Sequence, residues 1–155
     1  MSYLNTGDIA PDFQKKNQDG KTISLKEFQG KKVILYFYPK DDTPGCTAEA
    51  CNLRDNYNDL IKHGFEVIGV SPDSEQSHTK FKSKYSLPFN LVADPEKTIL
   101  KAYGAWGKKK MYGKEYEGVL RTTYVIDELG NIEKVISKVD TKNHTRQIQE
   151  ELGII

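Results

Sequence analysis

Cys46 and Cys51 are the residues of this chain best suited to redox chemistry, and they stand in the stretch Tyr38-Pro-Lys-Asp-Asp-Thr-Pro-Gly-Cys-Thr-Ala-Glu-Ala-Cys51. Thr43 is a good helix N-cap, and Pro44 then takes the first helical position, where its missing N–H costs nothing. Cys46 falls in the first turn, where unpaired backbone N–H groups and the helix dipole favour the thiolate, the nucleophilic form. A helix terminus supplies about 0.3–1 kcal/mol, whereas one pKa unit takes about 1.36 kcal/mol. The helix start alone is therefore too weak, and a nearby cation is needed.

Arg121 is a candidate for that cation. It sits in Gly118-Val-Leu-Arg-Thr-Thr-Tyr-Val-Ile-Asp127, a run of strand formers. Alternation would put Val119, Arg121, Thr123 and Val125 on one face. A guanidinium in such company wants an anion, since an unpaired buried charge is costly. A thiolate would serve.

Five residues of α-helix separate the cysteines by a rise of about 7.5 Å and a turn of roughly 140°, placing their Cα atoms about 8.6 Å apart. Disulfides rarely form beyond about 7 Å without backbone movement. A Cys46–Cys51 bond would thus demand unwinding of the first turn or two, and oxidation is expected to melt the helix start. Plainer readings exist for each residue. Cys46 and Cys51 could be small core residues, and Arg121 could face solvent or a surface carboxylate. A Cys-x4-Cys metal site would need two more ligands, and His63, His78 and His144 show no ligand-like spacing.

The elements that must position these residues alternate between strand and helix, the pattern of an α/β fold. Asp19-Gly20 between Phe13-Gln-Lys-Lys and Thr22-Ile-Ser-Leu predicts an N-terminal hairpin. Val33–Tyr38 is almost wholly apolar and predicts a central buried strand, ended by Pro39. A helix is expected over Pro44–His63, a strand over Phe65–Val70, a helix over Glu75–Tyr85, a strand over Leu91–Ala93 and a helix over Pro95–Tyr103. Gly104–Gly118 reads as a surface loop or a long hairpin. Val119–Ile126 and Ile132–Val139 read as paired strands, and Lys142–Leu152 as a closing helix.

With 155 residues the chain is expected to form one domain over 1–155 with a single core. Lys and Arg number 23 against 22 Asp and Glu, which argues against nucleic acid or an anionic membrane as partner. The start of the chain lacks the pattern of a secretion signal, and no apolar run approaches the ~20 residues that span a bilayer. Two sparse cysteines then suggest working thiols in a reducing compartment, the cytoplasm.

Together these features resemble a peroxiredoxin. Pro39, Thr43 and Cys46 match the family's Pro-x3-Thr/Ser-x2-Cys motif, Glu49 matches an acidic residue three positions on, and Arg121 with Thr-Thr-Tyr-Val-Ile-Asp resembles the family's arginine strand. A second cysteine five residues after the first is similar to the bacterioferritin-comigratory subgroup. So are Ala93-Asp-Pro-Glu-Lys, Ala102-Tyr-Gly and Lys110-Met-Tyr-Gly-Lys. The resemblance runs from about Gly7 to Leu152. It implies a thioredoxin-like fold, with a central mixed β-sheet flanked by helices and an N-terminal β-hairpin. It also implies that Cys46 attacks hydrogen peroxide or an organic hydroperoxide and becomes a sulfenic acid. Pro39, Thr43, Gly45 and Arg121 would contact the peroxide, Glu49 would orient Arg121, and Cys51 would condense with the sulfenic acid. Thioredoxin or a similar dithiol would reopen that disulfide, with no metal, haem or flavin. The subgroup is often monomeric.

Three rival readings have their own signatures. A thiol–disulfide oxidoreductase would normally carry Cys-x2-Cys, which this chain lacks. A redox-switched binding protein or chaperone would show oxidation without turnover. A non-catalytic module would be indifferent to Cys46→Ser.

Overall fold

In a computed structural model, described here for residues 4–154 apart from the side chain of Met111, the chain builds a five-stranded mixed sheet with two small hairpins beside it. The strands and helices, in chain order, are β1 (Gln14–Lys16), β2 (Thr22–Ser24), β3 (Lys32–Phe37), α1 (Pro44–Asp55), α2 (Tyr57–Lys62), β4 (Phe65–Ser71), α3 (Glu75–Tyr85) and β5 (Asn90–Ala93). There follow α4 (Thr98–Ala102), β6 (Trp106–Met111), β7 (Lys114–Val119), β8 (Thr122–Ile126), β9 (Ile132–Ile136) and α5 (His144–Leu152). The main sheet has the order β5-β4-β3-β8-β9. β3 pairs parallel with β4 and antiparallel with β8, so it lies at the centre.

The apolar run predicted as a buried strand is that centre, because it is covered on both faces. Val33, Leu35 and Phe37 point into one apolar layer, with Phe13 and Ile23 of the N-terminal hairpin region and Ile99, Leu100 and Tyr103 around α4. Ile34, Tyr36 and Tyr38 point into the other, with Cys46, Ala50 and Leu53 of α1, Leu60 of α2, Phe81 of α3 and Ile148 of α5. Cys46 is thus part of a packed layer as well as a helix start. Among the described residues no helix is long and apolar enough to cross a membrane.

Three expectations need correction. The helix over Pro44–His63 is two helices that meet at Asn56, whose φ of −109° and ψ of 9° leave the helical region. Its side-chain amide donates to the Asn52 carbonyl at 2.8 Å, the competition with the backbone that makes Asn a poor interior residue. α4 begins at Thr98 rather than Pro95. Lys97 has a φ of +63°, and the Asp94 carboxylate accepts the amides of Thr98 at 3.0 Å and Leu100 at 2.9 Å, so that Asp94 caps the helix from outside.

The third correction concerns Arg121. Val119–Ile126 is not one strand, since β7 pairs with β6 and β8 pairs with β3. Leu120 and Arg121 lie where the chain passes from one ladder to the other. Gly104–Gly118 holds most of the β6–β7 hairpin, with Lys108 opposite Glu117 and Lys110 opposite Glu115. Those cross-strand pairs of opposite charge let so polar a segment form strands.

Candidate active site

Cys46 is the third residue of α1 and is 1% exposed. Thr43 occupies the cap position with extended backbone, φ −101° and ψ 157°, but its side chain does not cap the helix. Instead Thr43 Oγ1 donates to the Lys40 carbonyl at 2.8 Å. The expected capping bond is replaced by one that closes the loop ahead of the helix.

Arg121 reaches Cys46 from the junction of β7 and β8. Its Nη2 donates to Cys46 Sγ at 3.3 Å, and its Nη1 donates to Glu49 Oε1 at 2.8 Å. The guanidinium fork therefore spans Cys46 and Glu49, three residues apart on one face of α1. Burial opposes the charge on Arg121, but the neighbouring Cys46 and Glu49 outweigh it and hold the guanidinium protonated. Release from both ladders lets Arg121 turn toward α1 instead of following the alternation of a strand. Gly45 makes room: a Cβ there would lie 3.3 Å from Arg121 Nη2, closer than most real contacts.

Glu49 is fully buried. Burial pushes its carboxyl up to about 7, against the opposing pull of Arg121. Tyr36, on β3, is also buried, and its hydroxyl has no hydrogen-bond partner among the described residues. Burial raises the Tyr36 phenol, and the nearby negative charges of Glu49 and Cys46 raise it further.

Pro39 is half-buried just past β3. The loop after it is pinned by Asp41, whose Oδ1 accepts from Tyr38 Oη at 2.6 Å and whose Oδ2 accepts from Ser77 Oγ at 2.7 Å. His78 Nδ1 lies 2.7 Å from the same Oδ2, and the Asp41 amide donates to Asp73 Oδ2 at 2.7 Å. Asp42, at a φ of +58°, is held by Lys84 and Tyr85. Thr43 and Pro39 thus stand on a braced loop, although no short-range pattern in the sequence joins Asp41 to His78.

Cys51 is half-buried in the second half of α1, and both cysteines are free thiols. Burial is the main cause that raises the Cys51 thiol, with Arg54 opposing and Asp55 adding. Both residues lie within one continuous helix, so the spacing of about 8.6 Å applies. Of the residues singled out from sequence, Cys46, Arg121, Glu49 and Gly45 meet directly. Cys51 stands apart, further along α1.

A buried thiol at a helix start, held by a guanidinium on a thioredoxin-like sheet, is the arrangement of a peroxiredoxin. The AhpC/TSA family matches residues 6–135. Peroxiredoxin Bcp of Bacillus subtilis (strain 168) is 44% identical over 149 residues, covering 96% of this chain and 95% of that protein. The crystal structure of peroxidoxin BcpB from Mycobacterium tuberculosis superposes with a TM-score of 0.86 at 31% identity, covering 99% of each chain. A structure of the bacterioferritin comigratory protein of Xanthomonas campestris, from work on its alkyl peroxide reduction activity, gives a TM-score of 0.85 at 30% identity over 91% of this chain and 90% of that one. The chain belongs to the AhpC/TSA family, among its bacterioferritin-comigratory peroxiredoxins, and is a peroxidase of the oxidoreductase class.

Proposed function

We propose that the chain reduces hydrogen peroxide and organic hydroperoxides through Cys46, then forms a Cys46–Cys51 disulfide that a thioredoxin-type dithiol reopens. The observation that carries this reading is the 3.3 Å approach of Arg121 Nη2 to Cys46 Sγ, at the start of a helix that also bears Cys51.

The Cys46 thiolate attacks one peroxide oxygen, the O–O bond breaks, and the departing alkoxide or hydroxide takes up a proton. Cys46 becomes a sulfenic acid. Arg121 and Thr43 bind the peroxide oxygens beside Gly45 and stabilise charge on the leaving group. Pro39 shields the thiol, and Glu49 orients Arg121. The start of α1 then unwinds. Cys51, freed from the burial that holds its proton, attacks the sulfenic sulfur and expels water. A dithiol reductant next exchanges with this disulfide and leaves both cysteines reduced.

Organic hydroperoxides are included because the Xanthomonas campestris protein is studied for alkyl peroxide reduction. The working unit is one chain of one domain, since Cys46, Cys51, Arg121 and Glu49 all come from it. A dithiol-dependent cycle suits a reducing compartment such as the cytoplasm. The test is one equivalent of hydrogen peroxide added to reduced protein, followed by an acid quench within about a second and intact mass. Loss of two hydrogens, mapped to Cys46 and Cys51, is expected. A single added oxygen would remove Cys51 from its role, and an unchanged mass would end the peroxidase reading.

A further inference from the structure

Glu49 Oε2 is fully buried and accepts no hydrogen bond among the described residues, although Oε1 of the same carboxyl is engaged by Arg121. His144 Nε2, at the first turn of α5, lies 3.4 Å from it. His144 is itself fully buried. An unsatisfied carboxylate oxygen facing a buried imidazole is costly unless a proton lies between them.

The imidazole is oriented so that Nε2 is the nitrogen free to gain or lose that proton. Gln147 Nε2 donates to the Lys138 carbonyl at 2.7 Å, while Gln147 Oε1 accepts the Asp140 amide at 2.8 Å. These two backbone partners fix which end of the amide is oxygen. His144 Nδ1, 2.9 Å from that oxygen, must carry a hydrogen. Nε2 therefore faces Thr123 Oγ1 at 2.8 Å and Glu49 Oε2. The Thr123 hydroxyl can donate to a bare Nε2 or accept from a protonated one.

We propose that His144 is a positioning residue of the peroxidase site, which with Glu49 holds a single buried proton and so leaves the charge of Arg121 to Cys46. With the proton in place, the Glu49–His144 pair is neutral and Arg121 faces one anion. Without it, Glu49 is a second full anion competing for the same guanidinium. Burial drives both groups toward this arrangement, lowering His144 to about 4 and raising Glu49 to about 7. The groups facing the pair are Arg121 from the β7–β8 junction, Tyr36 from β3, Cys46 from α1, Thr123 from β8, and Gln147 and Asp140 around α5. The functional half of the inference rests on the peroxidase reading. The proton itself does not.

Two measurements separate them. In the reduced wild-type protein, carboxyl ¹³C and imidazole ¹⁵N NMR between pH 5 and 6.5 should show one proton on the pair and the Nδ1–H tautomer, with the carboxyl releasing its proton in the region about 7. A bare carboxylate beside a neutral imidazole at pH 6 would overturn the proposal, as would the Nε2–H tautomer of the neutral ring. Peroxide consumption is then compared across pH for wild type and His144→Phe, with circular dichroism as the check on folding. His144→Phe should change the shape of the pH profile of Cys46 oxidation, because the Glu49 carboxyl then loses the imidazole that faces it. A folded variant with the wild-type profile would overturn the positioning role. If His144→Phe fails to fold, Gln147→Leu, which releases the Nδ1 partner, should show the same change of profile, and its absence would be equally damaging.

Discussion

Asn52 holds Thr145 from two directions: its side-chain Oδ1 accepts the Thr145 amide at 2.8 Å, and its backbone carbonyl accepts the Thr145 hydroxyl at 3.4 Å. The Asn52 side-chain amide also donates to the Lys142 carbonyl at 3.0 Å. Asn52 follows Cys51 directly, so the segment that must open for a Cys46–Cys51 bond is tied to the start of α5. Asn52→Ala should cost about 1–2 kcal/mol of stability through the lost hydrogen bonds. It should also speed disulfide formation after peroxide addition and reduce over-oxidation of Cys46. Rapid-quench mass spectrometry reads both. A slower disulfide would mean that the Asn52 tie does not restrain the opening.

Arg121→Lys tests the fork. A lysine ammonium is a compact charge that cannot bridge Glu49 and Cys46 in the planar geometry seen for Arg121. Oxidation of Cys46 by hydrogen peroxide should slow by about 10²–10³-fold, the usual loss for one transition-state donor. Stopped-flow fluorescence in a Cys51→Ser background would measure it. A loss below about threefold would make charge alone sufficient.

Gly45→Ala addresses the close approach of the helix start to the guanidinium. Its Cβ would sit 3.3 Å from Arg121 Nη2, so the arginine must retreat by a few tenths of an ångström. The peroxide reaction should fall by about 3–30-fold while the melting temperature changes little, since such misplacement is felt mainly in catalysis. A large drop in stability with unchanged chemistry would contradict this.

Glu49→Gln has a pH signature in stability. The Glu49 carboxyl rises from 4.5 to about 7 on folding, so the folded chain binds the extra proton between those values. Where the native state binds more protons than the unfolded one, stability falls as pH rises. The cost of Glu49 is therefore absent below about 4.5 and complete above about 7. Glu49→Gln should gain on wild type across that window by about 3 kcal/mol. Urea titrations at pH 5 and pH 8 give the difference, and a gap that narrows with pH would refute the buried, proton-binding carboxyl.

Local pattern was enough to find the parts but not every connection between them. Val33–Tyr38 is continuously apolar because it is covered on both faces, and the Thr-Pro-Gly before Cys46 marks a helix start; both signals lie within a few residues. The handover at Arg121 was hidden because strand propensity does not say which ladder a residue joins. Val119 and Thr122 look alike but pair with different strands. The break at Asn56 rests on a choice between side-chain and backbone bonding that the composition of a long polar helix does not reveal. Asp41 with His78, and Glu49 with His144, are separated by 37 and 95 positions, and only the completed layers bring them together.

Because Arg121 takes both Cys46 and Glu49 from the first two turns of α1, that helix start supplies the counter-charge of a half-buried cation. Opening those turns for the proposed disulfide would take the partners away and leave the guanidinium uncompensated, an arrangement that is strongly unfavourable in a protein interior. The oxidised chain would then be a sprung form. Once the disulfide is cut, electrostatic attraction would draw the helix closed again. The same contact that readies the thiol for its substrate would thus act as the return stroke of the cycle.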